Sequence, residues 1–577
     1  MKKYIVLSFL FFICLCGCKQ QFTSKTVNLS DFIPADSISS ATYDATFDII
    51  SALEQCRENK ASTLIIPKGT YRITKNYASE KYVFVSNNDA GLKAFLFDLS
   101  GISNLEIEGN GAEFVLEGFV CPFLLDNSKN ITIKNLSIDF KRPFHTEGVI
   151  KGSGKGYIDL EFSDEFPYEV KNGKLRFIDQ NGTLYPYGSL LEFNTERHET
   201  EFKVFDSWLS VSPLPAEVLP NKDVRMFKEN IVGQVGNTLV FGAANRLVPA
   251  FTISDSEDIL LSNVNIYHCG GMGVISQRTH NIELNKVSVS PRPNGKRIIS
   301  ATADATHFVN NSGYLRMIDC TFENQKDDAT NIHGIYAVVD NILSPTELIV
   351  RLKHRQQFGF DFLKKEMNVE FEDARSLLSK GICKVKDVKR LNKECTLITF
   401  YDSIPSTVEL KDPVASVDAY PEVLIKGCTI QKNRARGLLL GSRGKTIIEN
   451  NYFHTPGSAI LFEGDGCYWY EQSGVRDVLI QNNVFDNCNF GNDTWGVGCI
   501  GVNTRIMEDK DKSRYHKNIT VTGNEFKIFD PTIAYLYCVD GFTFKNNKIE
   551  VSDKYKHIRN ETRRFITDDC SNILIED

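Results

Sequence analysis

The sequence predicts an all-β chain wound as a right-handed parallel β-helix, with an N-terminal capping helix and two inserted antiparallel β modules. Three observations carry that prediction. Nine-residue pieces of one design recur, in three places at a step of 23 residues. A second short apolar run follows most of them. Two steps are far longer than the rest, and the additional residues have strand patterns of their own.

The pieces are ITIKNLSID (from 131), ILLSNVNIY (259), IELNKVSVS (282), LRMIDCTFE (315), VLIKGCTIQ (423), TIIENNYFH (446), VLIQNNVFD (478), ITVTGNEFK (519) and FTFKNNKIE (542). Each alternates apolar and polar residues, breaks at Asn, Gly or Asp in most cases, and resumes. Period-two alternation describes a half-buried strand, and the break describes a turn with φ > 0. A supersecondary unit repeated at this length stacks into a solenoid.

Second strands read GMGVISQ (271), DATHFVN (304), DATNIHG (328), ARGLLLG (435), GSAILFE (457), VGCIGVN (497) and PTIAYLY (531). The 304 and 497 strands are delayed by spliced loops, PRPNGKRIIS and NFGNDTWG. Cys320 and Cys428 share a repeat position, which predicts buried thiols rather than disulfides. No CxxC pair occurs, so zinc ligation is not expected.

The steps 131 to 259 and 315 to 423 are 128 and 108 residues. The excess contains GYIDLEF, KLRFID, TEFKVF and VRMFK in the first insertion, and ELIVRL, NVEFED, CKVKDV and TLITFY in the second. Upstream, residues 44–73 read as an amphipathic helix followed by the first strand, a cap for the open end of the stack. The expected divisions are a signal over 1–18, cap and first coils over 19–140, and an inserted β module over 141–250. Coils with the candidate aspartates follow over 251–334, then a second, barrel-like module over 335–420 and the last coils over 421–577.

Two lysines, an apolar run and Leu15-Cys16-Gly17-Cys18 resemble a bacterial lipoprotein signal, with Cys18 the lipidated residue. The chain is expected to be exported and tethered to the cell envelope, at the periplasmic or outer face, by a lipid anchor only. No later apolar run is long enough to span a bilayer. A net charge of −7 over 577 residues offers no basic stripe for nucleic acid. Self-association into a homo-oligomer is compatible with the sequence.

The chemistry concentrates on the doubled segment DATHF…DDATNIHG. Register predicts that Asp304 and Asp328 stack at about 4.8 Å along the sheet, with Asp327 offset by one residue. Like charges so placed repel, and glycoside hydrolysis is the chemistry that uses such a cluster, one carboxylic acid and one carboxylate. Competing readings are a calcium cluster in a pectate-lyase-like enzyme, with Arg434, Arg436 or Arg443 as base, a polygalacturonase-like enzyme, and a non-catalytic glycan-binding surface. For sugar contacts, Trp469, Tyr470 and Trp495 offer aromatic faces, and Glu463, Asp465 and His307 offer polar groups. His333 lies on the neighbouring rung to His307.

The ordered set DATHF, QKDDATNIHG, HTPGSAILFEGD with YWYE at 468–471, and WG at 495 resembles glycoside hydrolase family 110, the α-1,3-galactosidases. The resemblance covers nearly the whole chain. It implies an exo-acting, inverting enzyme that removes terminal α-1,3-linked galactose, as from blood group B glycans, with no cofactor and no metal. Its catalytic aspartates would fall on Asp304, Asp327 and Asp328. Family members divide between those restricted to branched, fucosylated substrates and those that also accept linear ones. By analogy with polygalacturonases, Asp327 would be the proton donor, with Asp304 and Asp328 holding the water. The Gly-His-Gly and Arg-Ile-Lys motifs that grip a uronate are absent, which argues against pectin.

Overall fold

The structure is a computed structural model that describes residues 25–576. The Cys18 expectation lies outside the described residues. Two long stacks of strands run the length of the molecule, one of twenty strands and one of thirteen, paired almost throughout in parallel. The 23-residue step is the register itself: Ile259 pairs with Ile282, Val423 with Thr446, and Ile519 with Phe542. This is a parallel β-helix.

Each nine-residue piece is one bent strand (131, 259, 282) or two short strands that meet at a bend, and the bend falls on its fifth residue. That residue is Asn135, Asn263, Lys286, Asp319, Gly427, Asn450, Asn482, Gly523 or Asn546, and all nine have φ between 52° and 67°. Asn, Asp and Gly tolerate the left-handed region best, which is why they dominate the position. Lys286 holds it too.

The residue after the bend points inward. In the last coils it is asparagine, and Asn451, Asn483, Asn524 and Asn547 form a ladder, each amide Nδ2 donating to the next Oδ1 at 2.9 Å. In the two preceding coils it is Cys320 and Cys428, both buried as free thiols. Phe97, Phe123 and Phe251 stack face to face, with centroids 4.6 and 4.5 Å apart, and Phe453, Phe485 and Phe526 do the same. Identical side chains on consecutive rungs thus fill the core with little change of rotamer.

Helix Thr46–Asn59 caps the N-terminal end, burying Ile49, Ala52, Leu53 and Cys56. Arg57 closes it onto the stack by donating to the carbonyls of Asp98 and Ser100. Among the described residues one strand precedes the helix: Thr26–Asn28 lies outside Thr63–Ile65 at the edge of the sheet.

The first insertion forms an antiparallel sheet around Thr146–Gly154, Tyr157–Phe162, Tyr187–Asn194 and Thr238–Ala243. TEFKVF differs from expectation. Only Thr200 belongs to a strand; Lys203 has φ 57° and Phe202 turns away to stack on Tyr555. The second insertion closes as a six-stranded barrel that includes Glu347–Arg351, Asn368–Glu372, Ser379–Arg390 and Cys395–Phe400. Both modules wall the same stretch of the thirteen-stranded sheet, where strands Thr306–Val309 and Thr330–Ile335 lie side by side.

Candidate active site

Thr306 pairs with Thr330, and Thr330 with Leu438. Two residues upstream on each rung, the same column therefore reads Asp304, Asp328, Arg436. The expected aspartate stack is real: the Asp328 amide donates to Asp304 Oδ1 at 3.2 Å, and the Ala305 amide to the Asp328 carbonyl at 3.0 Å. What answers the repulsion is the third rung. Arg436 donates to Asp328 from its amide and Nε (3.0 and 2.9 Å to Oδ1) and from Nη2 (2.6 Å to Oδ2).

Asp327 faces away from that column into two other guanidinium groups. Arg434 Nη1 donates to Oδ1 at 2.8 Å and Arg246 Nη2 to Oδ2 at 2.9 Å. Arg434 is itself oriented by Asp206 at 2.7 Å, and Arg246 by the Asn87 carbonyl. Oxygens of the three aspartates lie within 4.8 Å of one another.

These settings separate the three acids. Burial raises the Asp304 carboxyl, the charge of Asp327 adds to it, and together they bring it to about 7. Burial also raises Asp328, to about 6, against the opposing pull of Arg436. Burial would raise Asp327 as well, but Arg434 and Arg246 outweigh it and hold the group ionised, below the usual range. One carboxyl that retains its proton near neutrality beside one that does not is the arrangement an acid–base pair needs. The substrate-free site thus favours a proton on Asp304 rather than on Asp327, the donor by the polygalacturonase analogy.

The same contacts bear on the calcium reading. Calcium takes about six to eight oxygen ligands, yet Arg246, Arg434 and Arg436 occupy the oxygens of Asp327 and Asp328. A divalent ion would have to enter among three fixed positive charges, and the donor set does not fit one. Arg443, the third arginine considered as a base, is remote from the aspartates and paired with Glu370 and Glu372 of the barrel.

The aspartates line the floor of a cavity of about 440 Å³. His307, Glu463, Asp465 and Trp469 line it as the sequence suggested. Their work differs. Asp465 Oδ1 accepts the amides of Cys467, Tyr468 and Trp469, so it shapes the loop that presents the aromatic residues. Glu463 lines the cavity under the charges of Arg436 and of Arg505, whose Nε is 3.9 Å from Oε1. Trp469 is 39% exposed and packs on His354 of the barrel, centroids 4.9 Å apart.

Two expected sugar contacts fall elsewhere. Trp495 is 3% exposed, packed with Ile298, Ile299 and Ala435 under the guanidinium of Arg434. The two spliced loops meet there, so the ring braces the site from behind. Tyr470 does not line the cavity; it has φ 59° and its carbonyl accepts the Tyr336 amide. Its neighbour Tyr468 takes the place at the rim.

Sequence reasoning did not assign Arg246, Asn331, Glu471 or Trp208 to the site. Trp208 comes from the first module, is 70% exposed, and lines the cavity. Glu471 arrives on a two-residue strand that pairs antiparallel with Thr330–Ile335. Glu471 closes the YWYE motif, and Arg436 carried a readable signal of its own. Aligned by strand register, its rung puts arginine where the two preceding rungs put aspartate.

Comparison with known proteins agrees over nearly the full length. The family descriptions GLAA-B beta-barrel domain I and GLAA-B beta-barrel domain II match residues 146–239 and 347–414, the two inserted modules. Alpha-1,3-galactosidase A of Shewanella woodyi is 34% identical, over 94% of this chain and 88% of the relative. Alpha-1,3-galactosidase B of Bacteroides thetaiotaomicron is 31% identical, over 96% and 90%. Among solved structures, endo-xylogalacturonan hydrolase from Aspergillus tubingensis overlaps 93% of this chain and 96% of its own, with a TM-score of 0.43 and 10% identity. An overlap that loose carries nothing about chemistry.

Carboxylates in unlike settings, at the floor of a cavity on a parallel β-helix, suit glycoside hydrolysis, and the relatives make the protein a glycoside hydrolase. With the two matched modules and relatives of this identity over nearly the full length, the chain belongs to the α-1,3-galactosidase family, glycoside hydrolase family 110.

Proposed function

We propose that the protein is an exo-acting, inverting α-1,3-galactosidase that releases a terminal galactose from glycans such as the blood group B structure. The observation that carries the chemistry is the unlike setting of two aspartates: Asp327 accepts from the guanidinium groups of Arg434 and Arg246, whereas Asp304 is buried against His307 and the Asp328 amide. The substrate class is supported by the names of the relatives. Exo action is supported by a cavity closed on two sides by the inserted modules, with room for a terminal sugar rather than a continuous polymer groove.

Inversion is supported by the state of the carboxylates. Both oxygens of Asp327 and both of Asp328 accept from guanidinium groups, which lowers their nucleophilicity toward the anomeric carbon. Water is then the attacking group, and a carboxylate takes up its proton. The oxygen spacing of 4.8 Å or less favours a second reading. It is nearer to the roughly 5–5.5 Å of retaining pairs than to the roughly 6.5–9.5 Å of inverting ones.

Proton NMR of galactose-α-1,3-galactose and of the B trisaccharide, followed from the first turnover, separates the two readings. β-Galactose appearing first supports inversion; α-galactose appearing first supports retention and sinks the proposal as stated. No galactose from either sugar removes the activity itself. Export and a lipid anchor at Cys18 complete the proposal, supported by the order of basic, apolar and Leu-Cys-Gly-Cys residues. Globomycin-sensitive processing of the precursor would test it.

A further inference from the structure

Behind Asp304 a chain of hydrogen bonds runs away from the cavity. Asp304 Oδ2 lies 2.6 Å from His307 Nδ1, His307 Nε2 lies 2.9 Å from His333 Nε2, and His333 Nδ1 lies 2.7 Å from the Gly334 carbonyl. All three side chains are buried. The last acceptor sets the direction of the whole chain, because a carbonyl oxygen can only accept.

His333 Nδ1 must therefore carry a hydrogen. With His333 neutral, its Nε2 is bare and accepts from His307 Nε2. His307 then has a bare Nδ1, and the group facing it at 2.6 Å must donate. That group is a carboxyl oxygen, which donates only when protonated. We infer that His307 and His333 form a one-way hydrogen-bond relay that stores the proton of the catalytic triad on Asp304 Oδ2 in the substrate-free enzyme.

The charged surroundings support this direction. Asp304 is faced by Asp327, Asp328, Arg246 and Arg436; His307 by Arg246, Asp327 and Asp328; His333 by Glu471, whose Oε1 is 3.7 Å from Nε2. Burial and then Arg246 disfavour an imidazolium at His307, bringing it to about 3. Burial outweighs Glu471 at His333 and lowers it also. Two neutral rings leave the proton on the carboxyl. The histidines are positioning residues: neither needs to touch the sugar. The relay matters for turnover under the galactosidase reading, on which its kinetic role rests, because a triad that titrates as a unit needs one proton among its members.

Neutron diffraction from deuterated crystals of the whole substrate-free protein at pH 6 tests the relay without reference to activity. Expected are deuterium on Asp304 Oδ2, His307 Nε2 and His333 Nδ1, with His307 Nδ1 bare. Deuterium on His307 Nδ1 facing an ionised Asp304 overturns the inference. The kinetic test is His333→Phe, which frees His307 to take the opposite tautomer and donate to an Asp304 carboxylate. The basic limb of kcat/KM against pH should move down by about one unit. A lower plateau with the limb unmoved would reduce His333 to a packing role and overturn the kinetic claim. Absence of galactose release by the unaltered protein would sink the activity while the neutron result still decided the relay.

Discussion

Arg436 holds Asp328 through three hydrogen bonds, one from its own amide and two from its guanidinium, although the residues are 108 positions apart in the chain. They are neighbours because the second barrel is inserted between consecutive rungs. The solenoid continues across the insertion as if it were not there, and Thr330 pairs with Leu438.

Removing that guanidinium leaves Asp328 buried beside the charge of Asp327, with the backbone amide of residue 436 its remaining donor from that rung. Arg436→Ala should lose roughly 3 kcal/mol of stability and most activity, read by thermal melting and by galactose release. Arg436→Lys keeps the charge but not the two-pronged geometry. It should recover the melting temperature better than the rate.

Asp327 is the carboxylate held ionised. Asp327→Asn preserves volume and should fold, with kcat down by about 10³ and KM little changed. A variant retaining a tenth of the rate would exclude Asp327 from the acid–base pair.

Asp304 links stability to pH. Its folded value near 7 lies above the unfolded value of about 3.9. The native state therefore binds more protons between those limits, and stability from this group falls as pH rises toward 7. Asp304→Asn cannot titrate. Its unfolding free energy relative to the unaltered protein should be higher at pH 8 than at pH 4, by a difference on the order of 4 kcal/mol. A pH-independent difference would refute the raised value.

The rim should act on binding rather than on chemistry. Trp208→Ala removes an exposed ring from the cavity wall, and Asp465→Ala releases three amides of the 467–469 turn. Each should raise KM by roughly ten-fold, about 1.4 kcal/mol, with kcat within a few-fold. Trp495→Phe, behind the site, should show the opposite split, lowering kcat through Arg434 while KM holds.

The asparagine ladder makes a claim about the frame. Asn483→Ala breaks donor and acceptor contacts to the coils on both sides. It should lower stability by about 2 kcal/mol without affecting kcat, seen as a shift in the denaturant midpoint.

Periodic features were legible before the structure because a coil repeats its backbone geometry. The bend on the fifth residue, the 23-residue register and the Asp304–Asp328 stack each follow from one local rule applied again. So does the inward ladder that places Cys320 and Cys428 with the asparagines. The barrels announced themselves as strand patterns that broke the count, although TEFKVF shows that alternation alone does not make a strand.

The walls of the cavity obey no such rule. Arg246 and Trp208 come from one insertion, Gln356 from the other, and Glu471 from a strand laid across the sheet edge. Each reaches the aspartates only because separate elements pack together there. By sequence Trp495, in a spliced loop beside a rung, had a stronger claim as a sugar contact than Trp469. The meeting of two loops buried the first, and a turn anchored by Asp465 exposed the second. The sequence by itself determined the frame and the carboxylates mounted on it, since local backbone geometry dictates both. Which arginine pairs with which aspartate, and so which carboxyl keeps its proton, was decided only in three dimensions, because pKa depends on distances between residues far apart in the chain.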